Sequence, residues 1–449
     1  MDDLRPPPLF EQTTVYQLAS IWLNPNEDQV VREWLLSLTH PDPEQRLKSA
    51  VFSLRQSRDP RMIIPLLVAL HDPESRVRRA AAHALLFFRD RRAVEPLIAV
   101  LRDAGARSSA ALALGLLHDG RAVEPLLIVF QEDIARRQQQ AEARGRLLSS
   151  DHDLEMMIGA LAMLGDRRAV EPLIAVLPKA DWHMTSCVAR ALGQLQDRRA
   201  IEPLLAALQE MLRQAQQVKT AKEGKDLWLR PEELFRALGT FGERRAVEPL
   251  MTFLAQTRLR AWDRKWAIDA LGQIRDERAV EPLCAVLREK PLVTRVASAR
   301  ALGLLGDVRA VEVLCLALQA RSAHLRAAAA RALGQVGESR AVEPLMDVLQ
   351  DSRISVRRAA LWALCQMGDE RAVEPLIRLL QQGSGPQRRA AAKALGRIGD
   401  ERAVKPLATH HDQDRTVRTA IRKALEKLRP TATLGEAARN TLHADATVK

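Results

Sequence analysis

Residues 261–266 read AWDRKW, the densest grouping on this chain of side chains able to grip a ligand. Trp262 and Trp266 lie one helical turn apart, with Asp263, Arg264 and Lys265 between them. Aromatics interleaved with cations can stack bases or hold a flat ligand. Two other runs carry metal-ligand types, Asp151-His152-Asp153 and His410-His411-Asp412. Both sit in predicted turns with no matching donor at helical spacing, so no metal site is expected. Cys187, Cys284, Cys315 and Cys365 form no CxxC pair and read as buried small hydrophobes in a reducing compartment. The chain has no GxxxxGK[ST], GxGxxG or GxSxG motif and no His-Glu dipeptide. No catalytic residue and no cofactor is therefore expected.

The elements that must position these residues come from a repeat. The phrase Arg-Ala-Val-Glu-Pro-Leu recurs down the chain, with its proline at 65, 96, 125, 172, 203, 249, 282, 344, 375 and 406 and Val313 in the one missing slot. Most intervals are 31 residues. A period of this length means stacked supersecondary units, each of which cannot bury its apolar face alone. Residues 369–399 illustrate one unit. Asp369 caps a helix, Leu376, Leu379 and Leu380 continue its apolar face, and Pro375 is expected to bend it. GSGP breaks the chain, and a second helix follows from about Gln387 to Ile398, ended by Gly399.

A bent first helix, a second helix reading VRRAAAxALG and a 31-residue period resemble HEAT-like repeats of the phycobilin (PBS) lyase type. The resemblance runs from about Asn26 to Leu428 and implies an all-α solenoid superhelix of about twelve helix pairs. It further implies that the second helices line a concave face. Residues 13–428 are read as one array, between tails at 1–12 and 429–449. Two insertions, near 131–155 and 209–232, read as first helices lengthened by about three turns and followed by longer loops. Both should leave the same edge.

Aligning the second helices on their Ala-Leu pair separates two basic columns. Six residues before the Ala stand Arg78, Arg107, Arg264, Arg295, Arg326, Arg357, Arg388 and Arg418, read as structural partners of acids in the turns. Immediately before the Ala stand His83, Leu112, Gly159, Arg190, Arg236, Asp269, Arg300, Arg331, Trp362, Lys393 and Lys423. The fold needs no cation there. Arg79, Lys265, Arg358 and Arg389 lie one turn earlier on the same helix face.

The formal charge of +12 and pI near 10 favour an anionic partner. The expected function is a non-catalytic scaffold that holds an acidic protein on a basic concave surface. Arg190, Arg236, Arg300, Arg331, Lys393 and Lys423 would supply charge, and Trp262, Trp266 and Trp362 would act as anchors. The alternatives are nucleic-acid binding along the same stripe and a phycobilin-lyase-like enzyme subunit, the latter implied by the resemblance alone. Trp and Asp in AWDRKW also bear a distant likeness to HEAT-like alkylpurine DNA glycosylases. No run of 18 apolar residues spans a membrane and no secretory signal is evident at the start, so a cytoplasmic location is expected.

Overall fold

The computed structural model describes residues 37, 40–55, 60–144, 147–148, 151–216, 231–256, 260–289 and 291–428. The expected tails, the first helix of the opening pair and residues 217–230 of the second insertion lie outside the described residues. Within them the chain is all α. Helix α1 (Pro43–Arg55) is the second helix of the opening pair. The next pairs are α2 (Ile63–Ala69) with α3 (Ser75–Leu85), α4 (Val94–Val100) with α5 (Arg107–Leu117), α6 (Val123–Ala143) with α7 (His152–Leu164), and α8 (Val170–Ile174) with α9 (Trp182–Leu195). Then come α10 (Ile201–Gln216) and α11 (Glu232–Phe241), α12 (Val247–Leu254) and α13 (Ala261–Ile274), and α14 (Val280–Leu287) and α15 (Leu292–Leu305). The last are α16 (Val311–Ala317) and α17 (Ala323–Val336), α18 (Val342–Val348) and α19 (Ile354–Met367), α20 (Val373–Gln382) and α21 (Gly385–Ile398), and α22 (Val404–Thr409) and α23 (Arg415–Leu428).

Backbone packing divides the chain into two compact units. The first comprises Met1–Glu210 with Trp228–Ala237, and the second Met211–Leu227 with Leu238–Lys449. Both are built by the same rule.

The repeated phrase is a capped turn followed by a helix start. In the α20 repeat, Asp369 accepts from the N–H of Arg371 and opens a three-residue 3-10 turn, Glu370–Ala372. The α-helix proper begins at Val373, which places Pro375 in its first turn. A proline there costs nothing, because the first N–H groups of a helix lack an in-helix acceptor anyway. The irregularity expected at Pro375 therefore lies at the 3-10 to α junction instead. Ala372, Val373 and Leu376 are fully buried, which explains why Ala, Val and Leu recur.

The recurring Arg and Glu are clamps rather than free charges. Arg199 folds back on Asp197 at 2.9 Å and reaches Glu171 of the preceding repeat at 3.0 Å. Arg278 does the same to Asp276 and Glu248, and also donates to the carbonyl of Arg244 at 3.0 Å. The second-helix arginine column is likewise structural. Arg78 binds Asp103, Arg326 binds Asp351 at 2.6 Å, Arg264 binds Glu289 at 2.8 Å and Arg388 binds Asp412 at 2.5 Å. Each acid comes from the following repeat, so these pairs tie neighbour to neighbour.

Second helices pack directly on second helices, α3 to α5 to α7 to α9 in the first unit and α13 through α23 in the second. First helices meet the next repeat chiefly at its 3-10 turn. The residue after the Ala-Leu pair governs how closely the second helices approach. A Cβ added at Gly272 would lie 2.8 Å from the Cα of Ala301, at Gly303 2.7 Å from Ala332, at Gly334 2.5 Å from Ala363 and at Gly396 2.5 Å from Ala424. Where Leu86, Ala162 or Cys365 replaces the glycine, the helices packed there (α3 on α5, α7 on α9, α19 on α21) meet over a smaller surface.

The first insertion is folded, not a free projection. Helix α6 has 21 residues against seven in α4. Buried Asp133 receives Arg107, Arg136 and Arg137, and Arg137 reaches Asp151, the N-cap of α7, at 2.7 Å. Leu148 then pairs through its backbone with Lys179 at 2.8 Å and Asp181 at 2.9 Å. The insertion is thus fastened to the turn of the next repeat.

Candidate functional site

The residue before each Ala-Leu pair faces outward because the pair itself is buried. Ala301 and Leu302, for example, are 1% and 0% exposed, while Arg300 beside them is exposed. From α15 to α23 five successive second helices present Arg300, Arg331, Trp362, Lys393 and Lys423 at this position. The four cations are exposed and make no ion pair or hydrogen bond among the described residues. Arg358 and Arg389, one turn earlier on α19 and α21, are also exposed and unneutralised among the described residues. Trp362 is 39% exposed, with its ring edge over Gly334 of the neighbouring helix. The row is therefore cationic at both ends with a half-open aromatic at its middle.

Helix α13 continues the row with different chemistry. Asp269 takes the column position and is neutralised by Lys265 at 2.6 Å. The Lys265 ammonium also lies 3.6 Å from the centroid of the Trp266 ring, a cation–π contact. Trp266 is half-buried, whereas Trp262 is 61% exposed. Asp263 is buried and held by Arg260 at 2.8 Å, so it is not presented to a ligand as a glycosylase-like acid would be.

The two remaining predicted cations belong to the first unit. Arg190 on α9 is exposed with no ion pair among the described residues. Arg236 on α11 is exposed but bound to Glu233 at 3.0 Å. With His83, Leu112 and Gly159 at the same position, the first unit carries no sustained basic row.

The His/Asp runs have structural roles. Asp151 caps α7, accepting from the N–H of Leu154, and Asp412 accepts from Arg388 and His410. Burial pushes the Cys284 and Cys365 thiols up to about 11, which disfavours the thiolate. A third cluster was missed in sequence. Glu155 of α7 and His183 and Cys187 of α9 bring their donor atoms within 4.8 Å of one another. The i, i+4 spacing of His183 and Cys187 was visible, but Glu155 comes from the preceding repeat.

HEAT repeats match residues 31–115, 149–217, 229–295, 282–355 and 342–426, and a PBS lyase HEAT-like repeat matches 106–132. No curated protein matches this sequence. Among solved structures, importin beta is similar over 93% of this chain and 69% of its own, at 12% identity and a TM-score of 0.59. The CpcE and CpcF complex of phycocyanin lyase from Nostoc sp. is similar over 60% of this chain and 93% of its own, at 23% identity and a TM-score of 0.34. Human deoxyhypusine hydroxylase is similar over 79% and 96%, at 19% identity and a TM-score of 0.26. These likenesses concern the fold. No helix among the described residues is long and apolar enough to cross a membrane. The stacked pairs, the capped turns and matches over well over half of the chain lead to one conclusion: this chain belongs to the HEAT-repeat family.

Proposed function

We propose that this protein is a non-catalytic scaffold whose second-helix face, from α15 to α23, holds an extended acidic segment of a protein partner. The observation that carries this reading is the unneutralised row Arg300, Arg331, Lys393 and Lys423 around exposed Trp362. Packed helices lie about 8–10 Å apart. A peptide in the polyproline II conformation rises about 3.1 Å per residue with about three residues per turn, so every third side chain returns to the same face after about one repeat. A segment with Asp or Glu at every third position meets one cation per helix, and an apolar residue midway meets Trp362. A nucleic-acid strand carries a charge about every 3.4 Å of axis, which would leave most phosphates without a cation in this row. The match of residues 106–132 to PBS lyase repeats concerns repeat type and assigns no bilin chemistry. Importin beta, at 12% identity, supports only the fold on which such a surface is built.

Exposed charge pairs contribute about 0.2–1 kcal/mol each, so a single substitution is a weak probe. The double variant Arg300→Glu/Arg331→Glu should weaken binding of a fluorescent peptide bearing Glu at every third position by about 10-fold or more, read by anisotropy. Its melting temperature should be unchanged, because both sites are exposed. Tighter binding of a single-stranded oligonucleotide than of the peptide, with a steeper loss in salt, would replace this reading by the nucleic-acid one.

A further inference from the structure

We infer that the first unit contains a binding site for a thiophilic divalent cation such as Zn²⁺, formed by Glu155, His183 and Cys187. His183 and Cys187 are four residues apart on α9, which puts imidazole and thiol on one helix face. Glu155 enters from α7, with its Oε1 2.6 Å from Nε2 of His183. All three donor atoms lie within 4.8 Å of one another. Coordination at about 2.0–2.3 Å to each requires the 2.6 Å contact between Glu155 and His183 to open around the ion, a movement within reach of side-chain rotation. One thiolate, one carboxylate and one neutral imidazole balance a dication, and this mixed donor set is of the zinc type. On binding, Cys187 gives up its thiol proton and the metal takes the place of the hydrogen bond between Glu155 and His183.

The repeat does not require these residues. Cys187 occupies the slot filled by Ala80, Ala297, Ala328 and Ala359 in other second helices. Cys187 is 5% exposed, whereas the side chains of Glu155 and His183 are 26% and 38% exposed. The sulfur is shielded while the other two donors face solvent. An ion therefore has a route in, and water can complete a four-coordinate shell.

The test uses the full-length chain without an affinity tag, kept reduced by a phosphine and titrated with Co²⁺ as a spectroscopic probe. The wild type should bind one Co²⁺ per chain with a thiolate-to-metal charge-transfer band, and Zn²⁺ should displace it. Cys187→Ala restores the residue other repeats carry at this slot, so the variant should fold normally. It should lose the band and bind at least about 100-fold more weakly, because loss of an outer partner alone costs 10–100-fold. His183→Ala and Glu155→Gln should keep the thiol and still weaken binding. No band in the wild type, or an unchanged band in Cys187→Ala, would overturn the site.

Discussion

Acid should unfold this protein over a narrow window, with its melting temperature flat down to about pH 4 and collapsing between there and about pH 2. The cause is the repeated capping carboxylate. Arg121 holds the Asp119 carboxyl down at about 2, and Arg199 does the same for Asp197. Asp90, Asp166, Asp276, Asp307, Asp369 and Asp400 are depressed by the arginine two residues on. Asp351 and Asp412, the acids of the second clamp, are held down by Arg326 and Arg388. An unfolded aspartate titrates near 3.9. Because the folded values lie lower, the stabilisation is complete above about pH 4 and disappears as pH falls through the folded value near 2. Protonation also raises the net charge above +12, and self-repulsion acts in the same direction. Circular-dichroism melts from pH 7 to pH 2 read this directly. A melting temperature that holds at pH 2, or one already falling near pH 6, would show that these clamps do not govern stability.

Two glycine-to-alanine substitutions should move stability in opposite directions. Gly334→Ala puts a methyl 2.5 Å from the Cα of Ala363 and 2.7 Å from its Cβ, backbone against backbone. Neither helix can yield by rotating a side chain. Overpacking of this kind costs about 1–3 kcal/mol and here forces α17 from α19, outweighing the roughly 1 kcal/mol that alanine gains over glycine in a helix. A net loss of up to about 2 kcal/mol is expected. At Gly159, on the outer face of α7, an added Cβ meets nothing within 4 Å. Gly159→Ala should therefore stabilise by up to about 1 kcal/mol. Urea midpoints for the two variants check the sign. Equal shifts would mean that glycine acts only through the unfolded chain and not through helix spacing.

Much of the fold was legible because one phrase carries all its levels at once. The buried Ala, Val and Leu of the repeat, the capping Asp and the second-helix arginine column each recur at one period. Pro375 was misread because sequence cannot distinguish one bent helix from a 3-10 turn followed by a fresh start. The role of the glycine after Ala-Leu was hidden for another reason: its partner, an alanine in the next repeat, is known only once the helices are docked. Two features of the candidate surface were readable and overlooked. Glu233 stands three residues before Arg236 and Asp269 four after Lys265, spacings that predict the observed pairs. The Glu155, His183 and Cys187 grouping was not readable in the same way, since its donors come from successive repeats 28 residues apart at the closest pair.

The proposed binding mode assigns the partner to one face and not to the net positive charge. The measurement that tests it most directly compares two variants of equal charge within the second unit. Arg300→Glu/Arg331→Glu alters the row, whereas Arg288→Glu/Arg321→Glu alters two exposed arginines in the turns between first and second helices. Both change the formal charge by the same amount. Anisotropy titration with the Glu-patterned peptide should show a loss of about 10-fold or more for the row variant and less than about 3-fold for the turn variant. Equal losses would reduce the interaction to general electrostatic attraction and contradict the assignment of this face.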